Sequence, residues 1–304
     1  MFSKEARTRL SRWIARYSLF LCSLIIKFMP QGLLNSFAER IAFLGYFIAA
    51  KQRKIALDSL KIAFGRELSD AKRIKIAKDS FRNMAKSGIE LLYVLERPSL
   101  SRDLVSIRGR QYLDEALSKG NGVIAVSAHF GNFPLALTKL SQDGYKVSVI
   151  LKRMRDENVE EFLEARRQRV GIHSIHTNPR QACVDGSIRA LRNNELLFIQ
   201  LDQNFGASGV FVDFFGQKAA TATGPVVLTL RTQAPIVPMF IVRTRPRHYD
   251  ILIEPPITME KKDTFEETLQ HNIQKITSII EAYIRKYPAE WGWIHRRWKS
   301  RPAH

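Results

Sequence analysis

The chain has 304 residues, 45% of them hydrophobic and 25% charged, and 48 Lys and Arg stand against 29 Asp and Glu for a formal charge of +19. That much apolar side-chain mass without a low-complexity tract excludes a disordered chain, a collagen-like repeat and a small disulfide scaffold. A surplus this large draws a protein toward a polyanion, whether nucleic acid, an anionic membrane face or an acidic protein carrying the substrate, and composition does not choose among them.

In chain order, residues 1–50 are expected to form a membrane anchor or interfacial helices and residues 51–304 one catalytic-sized domain. A basic opening, MFSKEARTRLSR, runs into an apolar stretch from Tyr17 to Met29 that contains Lys27. Spanning a bilayer takes about 20 apolar residues, so this stretch is too short to cross by itself. A second apolar stretch, Phe37 to Ala50, follows where a signal peptide would carry a small-residue cleavage site. The expected arrangement is an apolar surface in lipid with Arg7, Arg9, Arg12, Arg16 and Lys27 beside anionic headgroups. A buried helical hairpin of a soluble domain and a tilted or re-entrant segment are the alternatives.

Residues 51–100 read as helix, with Ser69 before Asp70 as an N-cap signal and Ile74, Ala77, Phe81, Met84 and Gly88 on one buried face. From Gly120 the period changes. GVIAVSAH, KVSVIL, LLFIQLD, APIVPMFIVR and YDILIEP are short apolar runs of the kind that form strands buried on both faces. Helical segments are predicted between them at Pro134–Gln142, Asp156–Val170, Arg180–Asn193 and Pro225–Gln233, with a last helix over Thr264–Lys286. Strands alternating with helices imply an α/β protein, an αβ sandwich with a largely parallel sheet. Cys22 and Cys183 lie in different kinds of segment and give neither a disulfide framework nor metal-ligand spacing.

Reacting groups of such sheets gather at the carboxyl ends of strands. His129 ends GVIAVSAH and Asp202 ends LLFIQLD, so the two can share one crevice, with Asp202 orienting a His129 base. A histidine capping the turn and an aspartate capping the strand end are the structural alternatives. Gly131 and Asn132 follow the histidine, Gln203 follows the aspartate, and Thr223 precedes a helix whose free amides suit an anion. Lys152 and Arg153 lie beyond another strand end, and the tail WIHRRWKSR adds Arg296 and Arg297 as forks for phosphate or carboxylate. His173 and His176 lack acidic or cysteine ligands nearby in sequence, so no metal is expected. No RRM, KH or helix-turn-helix signature accompanies the basic surface, so nucleic acid is not an expected partner.

The strings SAHFGNFPLAL, LDQNFGASGVFVDFFGQKAATATGP and YPAEWGWIHRRWK, in this order, resemble the lipid A biosynthesis acyltransferases, as do RKIALDSLKIAFG and FRNMAKSGIELLYV upstream. The resemblance implies a glycerolphosphate-acyltransferase-like fold on the cytoplasmic face of an inner membrane, held peripherally or by a single N-terminal anchor. It also implies transfer of a fatty acyl chain from acyl carrier protein, or coenzyme A in some branches, to a glycolipid hydroxyl, with the thioester as co-substrate and no further cofactor. His129 matches the histidine of the family's His-x4-Asp/Glu motif, but Pro134 stands where the acid belongs. Asp202 can supply the acid instead, His129 can work unpaired at a lower rate, or catalysis has been lost and the protein binds lipid. For the oxyanion the expected donors are Arg153, with Lys152 as its rival, or backbone amides near Gly131 and Asn132.

Overall fold

A computed structural model describes residues 4–206 and 208–302, without the side chains of residues 4–8 and 10–12, so the expected headgroup contacts of Arg7 and Arg12 lie outside the described residues. Four helices come first: α1 (Lys4–Phe28), α2 (Leu34–Ile48), α3 (Ala50–Phe64) and α4 (Asp70–Glu96). The stretch predicted as helix over residues 51–100 is two helices parted by a turn at Gly65, and Ser69 caps α4 by accepting from Lys72 N. Ala77 and Phe81 are buried, but Ile74 is 41% exposed and Gly88 is also exposed, so the buried face is rotated toward Ser80, Ile89 and Tyr93. The rotation follows from what α4 must cover: Ile26 of α1 and Leu34 and Ala38 of α2 bury themselves against Ile89, Leu92 and Tyr93. The N-terminus is not a fully buried hairpin, because α1 and α2 bury one stripe and leave Leu21, Phe28, Phe43, Phe47 and Ile48 between 59% and 80% exposed.

The remaining elements alternate: α5 (Ser101–Leu104), β1 (Val105–Arg108), α6 (Arg110–Leu117), β2 (Val123–Ser127), α7 (Phe133–Gln142), β3 (Val147–Leu151), α8 (Glu157–Arg169), β4 (Ile172–His176), α9 (Arg180–Arg192) and β5 (Leu196–Gln200). After these come β6 (Val210–Phe214), β7 (Gln217–Thr221), α10 (Gly224–Thr232), β8 (Ile236–Arg245), β9 (His248–Ile253) and α11 (Phe265–Lys286). Seven strands form one sheet in the order β1-β9-β8-β2-β5-β3-β4, parallel except where β8 meets β9. Each predicted apolar run is a strand of this sheet. β2 is buried at every position, as a central strand covered on both faces must be. The two faces carry separate apolar layers, one including Ile124, Val126 and Ile276, the other Val123, Ala125 and Leu140. β1 and the antiparallel β6–β7 hairpin were not expected, and His173 and His176, which sequence leaves as strand or loop residues, lie in the polar edge strand β4.

The helix ends obey local chemistry. Asp156 caps α8 by accepting from Val159 N, and Thr264 and Glu267 close a reciprocal capping box at α11.

Candidate active site

β2 and β5 are parallel neighbours in the register Ser127↔Gln200. The ladder continues one bond further, Leu201 N donating to Ser127 O at 3.0 Å. Two residues beyond each strand, His129 and Asp202 therefore stand side by side, with Nδ1 of His129 2.9 Å from Oδ1 of Asp202. Asp202 is 1% exposed, and its other oxygen accepts from Trp291 Nε1 at 2.7 Å. Burial alone would raise the Asp202 pKa, yet His129 and the Trp291 N–H hold it down at about 2. Burial works against the imidazolium of His129, but the carboxylate prevails and raises its pKa above the ordinary value. An ionised Asp202 fixes the proton of neutral His129 on Nδ1 and leaves Nε2 free as a base.

The C-terminal tail builds the wall behind this pair. Phe130 bridges Trp291, Gly292 N donates to His129 O at 3.1 Å, and Gly131 N donates to Glu290 O at 2.8 Å. Gly131 has φ +56°, and a Cβ there would lie 2.0 Å from Ile241 O, so only glycine fits the turn against β8. Its amide is already used, which removes it from the expected oxyanion donors. Asn132 is 1% exposed and does not face a substrate: Oδ1 accepts from Leu135 N at the start of α7 and Nδ2 donates to Ser87 O.

Sequence reasoning placed His295 among the basic tail residues; the structure brings its ring centroid to 5.4 Å from that of His129. Gln203 Nε2 lies 3.0 Å from His129 Nε2 and 2.9 Å from His295 Nε2, so two imidazoles converge on one polar position. Burial and the neighbouring His129 lower the His295 pKa, against the pull of Asp202. The only signal in sequence was the His-Arg-Arg string itself.

The other expected site residues are placed differently. Arg297 is 0% exposed and donates to Gln203 O and Ala220 O and to Thr221 Oγ1, so it braces the loop after β5 and cannot grip a ligand. Burial lowers its pKa to about 10. Arg296 is exposed next to it. Thr223 takes the N-cap position of α10 without a side-chain cap bond. Lys152 and Arg153 are exposed at the end of β3, two strands from β2, and among the described residues neither pairs with His129 or Asp202. His176, read from sequence as lacking acidic neighbours, stands with Glu160 and Glu164, their ligand atoms within 4.8 Å. Folding β4 against α8 brings them together, but Arg167 already donates to both carboxylates at 2.8 Å.

Pro134 occupies the second position of α7, where a missing N–H costs nothing. Because Asp202 already fills Nδ1 of His129, Pro134→Glu is expected to change the transfer rate by no more than about twofold. A strong gain in a steady-state assay would instead mean that the native site lacks an effective acid.

Behind the tail, Glu290 carries an Oε2 with no partner and faces Arg243, which also pairs with Glu90. Burial raises its pKa to about 7 against the lowering effect of Arg243. The folded protein thus holds a proton that the unfolded chain releases near the ordinary carboxylate value, and stability falls as pH rises from about 4.5 through about 7. Glu290→Gln should be more stable than the parent by roughly 2 kcal/mol at pH 8, with the difference vanishing near pH 4.5, as urea unfolding at the two pH values would show.

The fold and site define an α/β protein with a buried aspartate–histidine pair at the carboxyl ends of adjacent parallel strands, the equipment of a general base for group transfer. The chain belongs to the bacterial lipid A biosynthesis acyltransferase family, whose model matches residues 1–300, and it is an acyltransferase. It is 24% identical over 260 residues to the lipid A biosynthesis lauroyltransferase of Escherichia coli K12, covering 83% of this chain and 80% of that one. It is 26% identical over 298 residues to the palmitoleoyltransferase of the same organism, covering 96% and 92%. A phosphatidylinositol mannoside acyltransferase of Mycobacterium tuberculosis is 23% identical over 193 residues, covering 63% of this chain and 59% of that one. The crystal structure of the 1-acyl-sn-glycerophosphate acyltransferase PlsC from Thermotoga maritima superposes with a TM-score of 0.40 at 11% identity, covering 83% and 97%; the fold class here rests on the strand order instead.

Proposed function

We propose that this protein transfers a fatty acyl chain from an acyl carrier protein thioester to a hydroxyl of a lipid A precursor or related glycolipid. The observation that carries this reading is the His129–Asp202 pair, with the Nε2 face of His129 turned to the position that Gln203 now fills. An acceptor hydroxyl displaces the Gln203 amide and gives its proton to Nε2 as its oxygen attacks the thioester carbonyl. The C–O bond forms, the C–S bond breaks, and the imidazolium returns the proton to the departing sulfur. Asp202 stays ionised throughout and balances the imidazolium. The Gln203 amide, which lies beside Nε2 of His129, is the expected donor to the developing oxyanion once the hydroxyl has displaced it from the ring, in place of Arg153.

Membrane attachment belongs to the same reading. No single helix among the described residues is long and apolar enough to cross a membrane, although the segment Gln31–Ile48 and α3, bent by 86° at their junction, together have the length and apolar composition of a broken span or re-entrant loop. The exposed apolar residues of α1 and α2 favour an interfacial docking face on the cytoplasmic side of the inner membrane, with basic neighbours at anionic headgroups. The +19 charge supports an acidic carrier protein as donor.

The test is purified protein given acyl carrier or coenzyme A thioesters and glycolipid acceptors, with products identified by mass spectrometry. The expected result is an ester product formed preferentially from the carrier thioester. Lipid binding without turnover under any donor would instead mark a non-catalytic lipid-binding protein.

A further inference from the structure

Between α1 and α8 lies a groove of about 380 Å³ that the acyl-transfer site does not use. Its lining includes hydrocarbon from Phe20, Leu24, Phe162 and Ala165, with the Phe20 and Phe162 rings 5.0 Å apart. It also includes three cations, Lys27, Arg166 and Arg169, against one carboxylate, Glu96. Glu96 takes Arg166 at 3.1 Å and Arg169 at 3.6 Å, so one acid is shared by two guanidiniums and Lys27 is left over. The Arg166 guanidinium lies 3.4 Å from the Phe162 ring centroid, which fixes its plane, and its Nε–H is buried without an acceptor.

Such a groove suits a ligand with an anionic end and a hydrocarbon end. The exposed face of α1 continues the hydrocarbon lining of the groove. Leu21, Leu24, Ile25 and Phe28 follow three- and four-residue steps on α1 and are 59%, 56%, 41% and 74% exposed, and Leu24 belongs both to this stripe and to the groove wall. A headgroup seated on Arg166, Arg169 and Lys27 would therefore lay its acyl carbons along α1 and the Phe20–Phe162 wall.

We propose that the α1–α8 groove binds the headgroup of one anionic phospholipid, its phosphodiester against Arg166, Arg169 and Lys27 and its chains along the exposed stripe of α1. This site is separate from the His129 crevice, and the lipid is a bound companion rather than a substrate. It ties α1 to α8 through a shared ligand, where the described direct polar links are Arg16–Asp156 at 3.6 Å and Arg166–Ser23 at 3.5 Å.

The test is calorimetric titration of the full-length protein with dihexanoyl phosphatidylglycerol below its micelle concentration, so that bulk docking to vesicles does not enter. The expected result is saturable one-to-one binding, weakened about tenfold or more in Lys27→Gln/Arg169→Gln, since lost charge-assisted contacts are of that order. Both residues of that pair have exposed side chains, so the variant keeps its fold; Arg166→Gln is expected to show a similar loss if it folds. Unchanged affinity in Lys27→Gln/Arg169→Gln overturns the proposal. So does equal affinity for dihexanoyl phosphatidylcholine, which would make the groove merely apolar, or equal affinity for inorganic phosphate, which would make it a free-anion site.

Discussion

His129→Ala should abolish acyl transfer to within the background, a loss of about 10²–10⁴-fold or more for removal of the general base. The expected size follows from the surroundings of Nε2. Gln203 is an amide without basicity, and burial lowers the pKa of His295, so either makes a poor substitute for the proton acceptor. The substitution leaves the buried Asp202 carboxylate with Trp291 Nε1 as its remaining side-chain donor, so the variant should also unfold at a lower temperature, and activity measured well below that midpoint separates a chemical loss from a folding loss. Full activity in the alanine variant, measured as ester product per enzyme, would refute the assignment of the base.

Asp202→Asn should cost nearly as much in rate and also change the pH profile. Asp202 accepts two hydrogen bonds, from His129 Nδ1 and Trp291 Nε1, while an asparagine has one carbonyl oxygen to offer. If that oxygen stays with Trp291, the amide N–H faces Nδ1 and forces the proton onto Nε2, which is the wrong tautomer for a base. If it turns to His129, the buried indole N–H is orphaned at about 1–3 kcal/mol. Losing the carboxylate also removes what raises the His129 pKa, so the acid limb of the rate profile should move to lower pH while the plateau falls. A pH–rate profile unchanged in position would mean that Asp202 does not couple to the base.

Why Pro134 can stand where the family pattern has an acid is answered by packing. Nδ1 of His129 is already taken by Asp202, and the turn into α7 is held by Gly131 N donating to Glu290 O and Asn132 Nδ2 donating to Ser87 O. The carboxylate comes across the sheet from β5. The apolar runs of β2 and β5 and the polar residues ending them were legible in sequence, and so was the helix after the His129 turn, because apolar patterning and capping chemistry are local. The antiparallel pairing of β8 with β9, the hairpin β6–β7 and the exposed face of Ile74 were not, since each depends on what lies opposite.

The tail illustrates the division. YPAEWGWIHRRWK announces aromatic and basic chemistry, and from composition it reads as a docking surface. Folding instead buries Trp291 on Asp202, buries Arg297 under the loop after β5 and turns His295 toward His129, leaving Arg296 outside. Residue order alone determined the α/β class, the strands that bear His129 and Asp202, the resemblance to lipid A acyltransferases and the charge surplus. Only the tertiary structure decided which basic residues are struts, which amides are already spent and which imidazoles meet. Strand periodicity and caps are set within a few residues, whereas a hydrogen bond between residues 202 and 291 is set by the path of the whole chain between them.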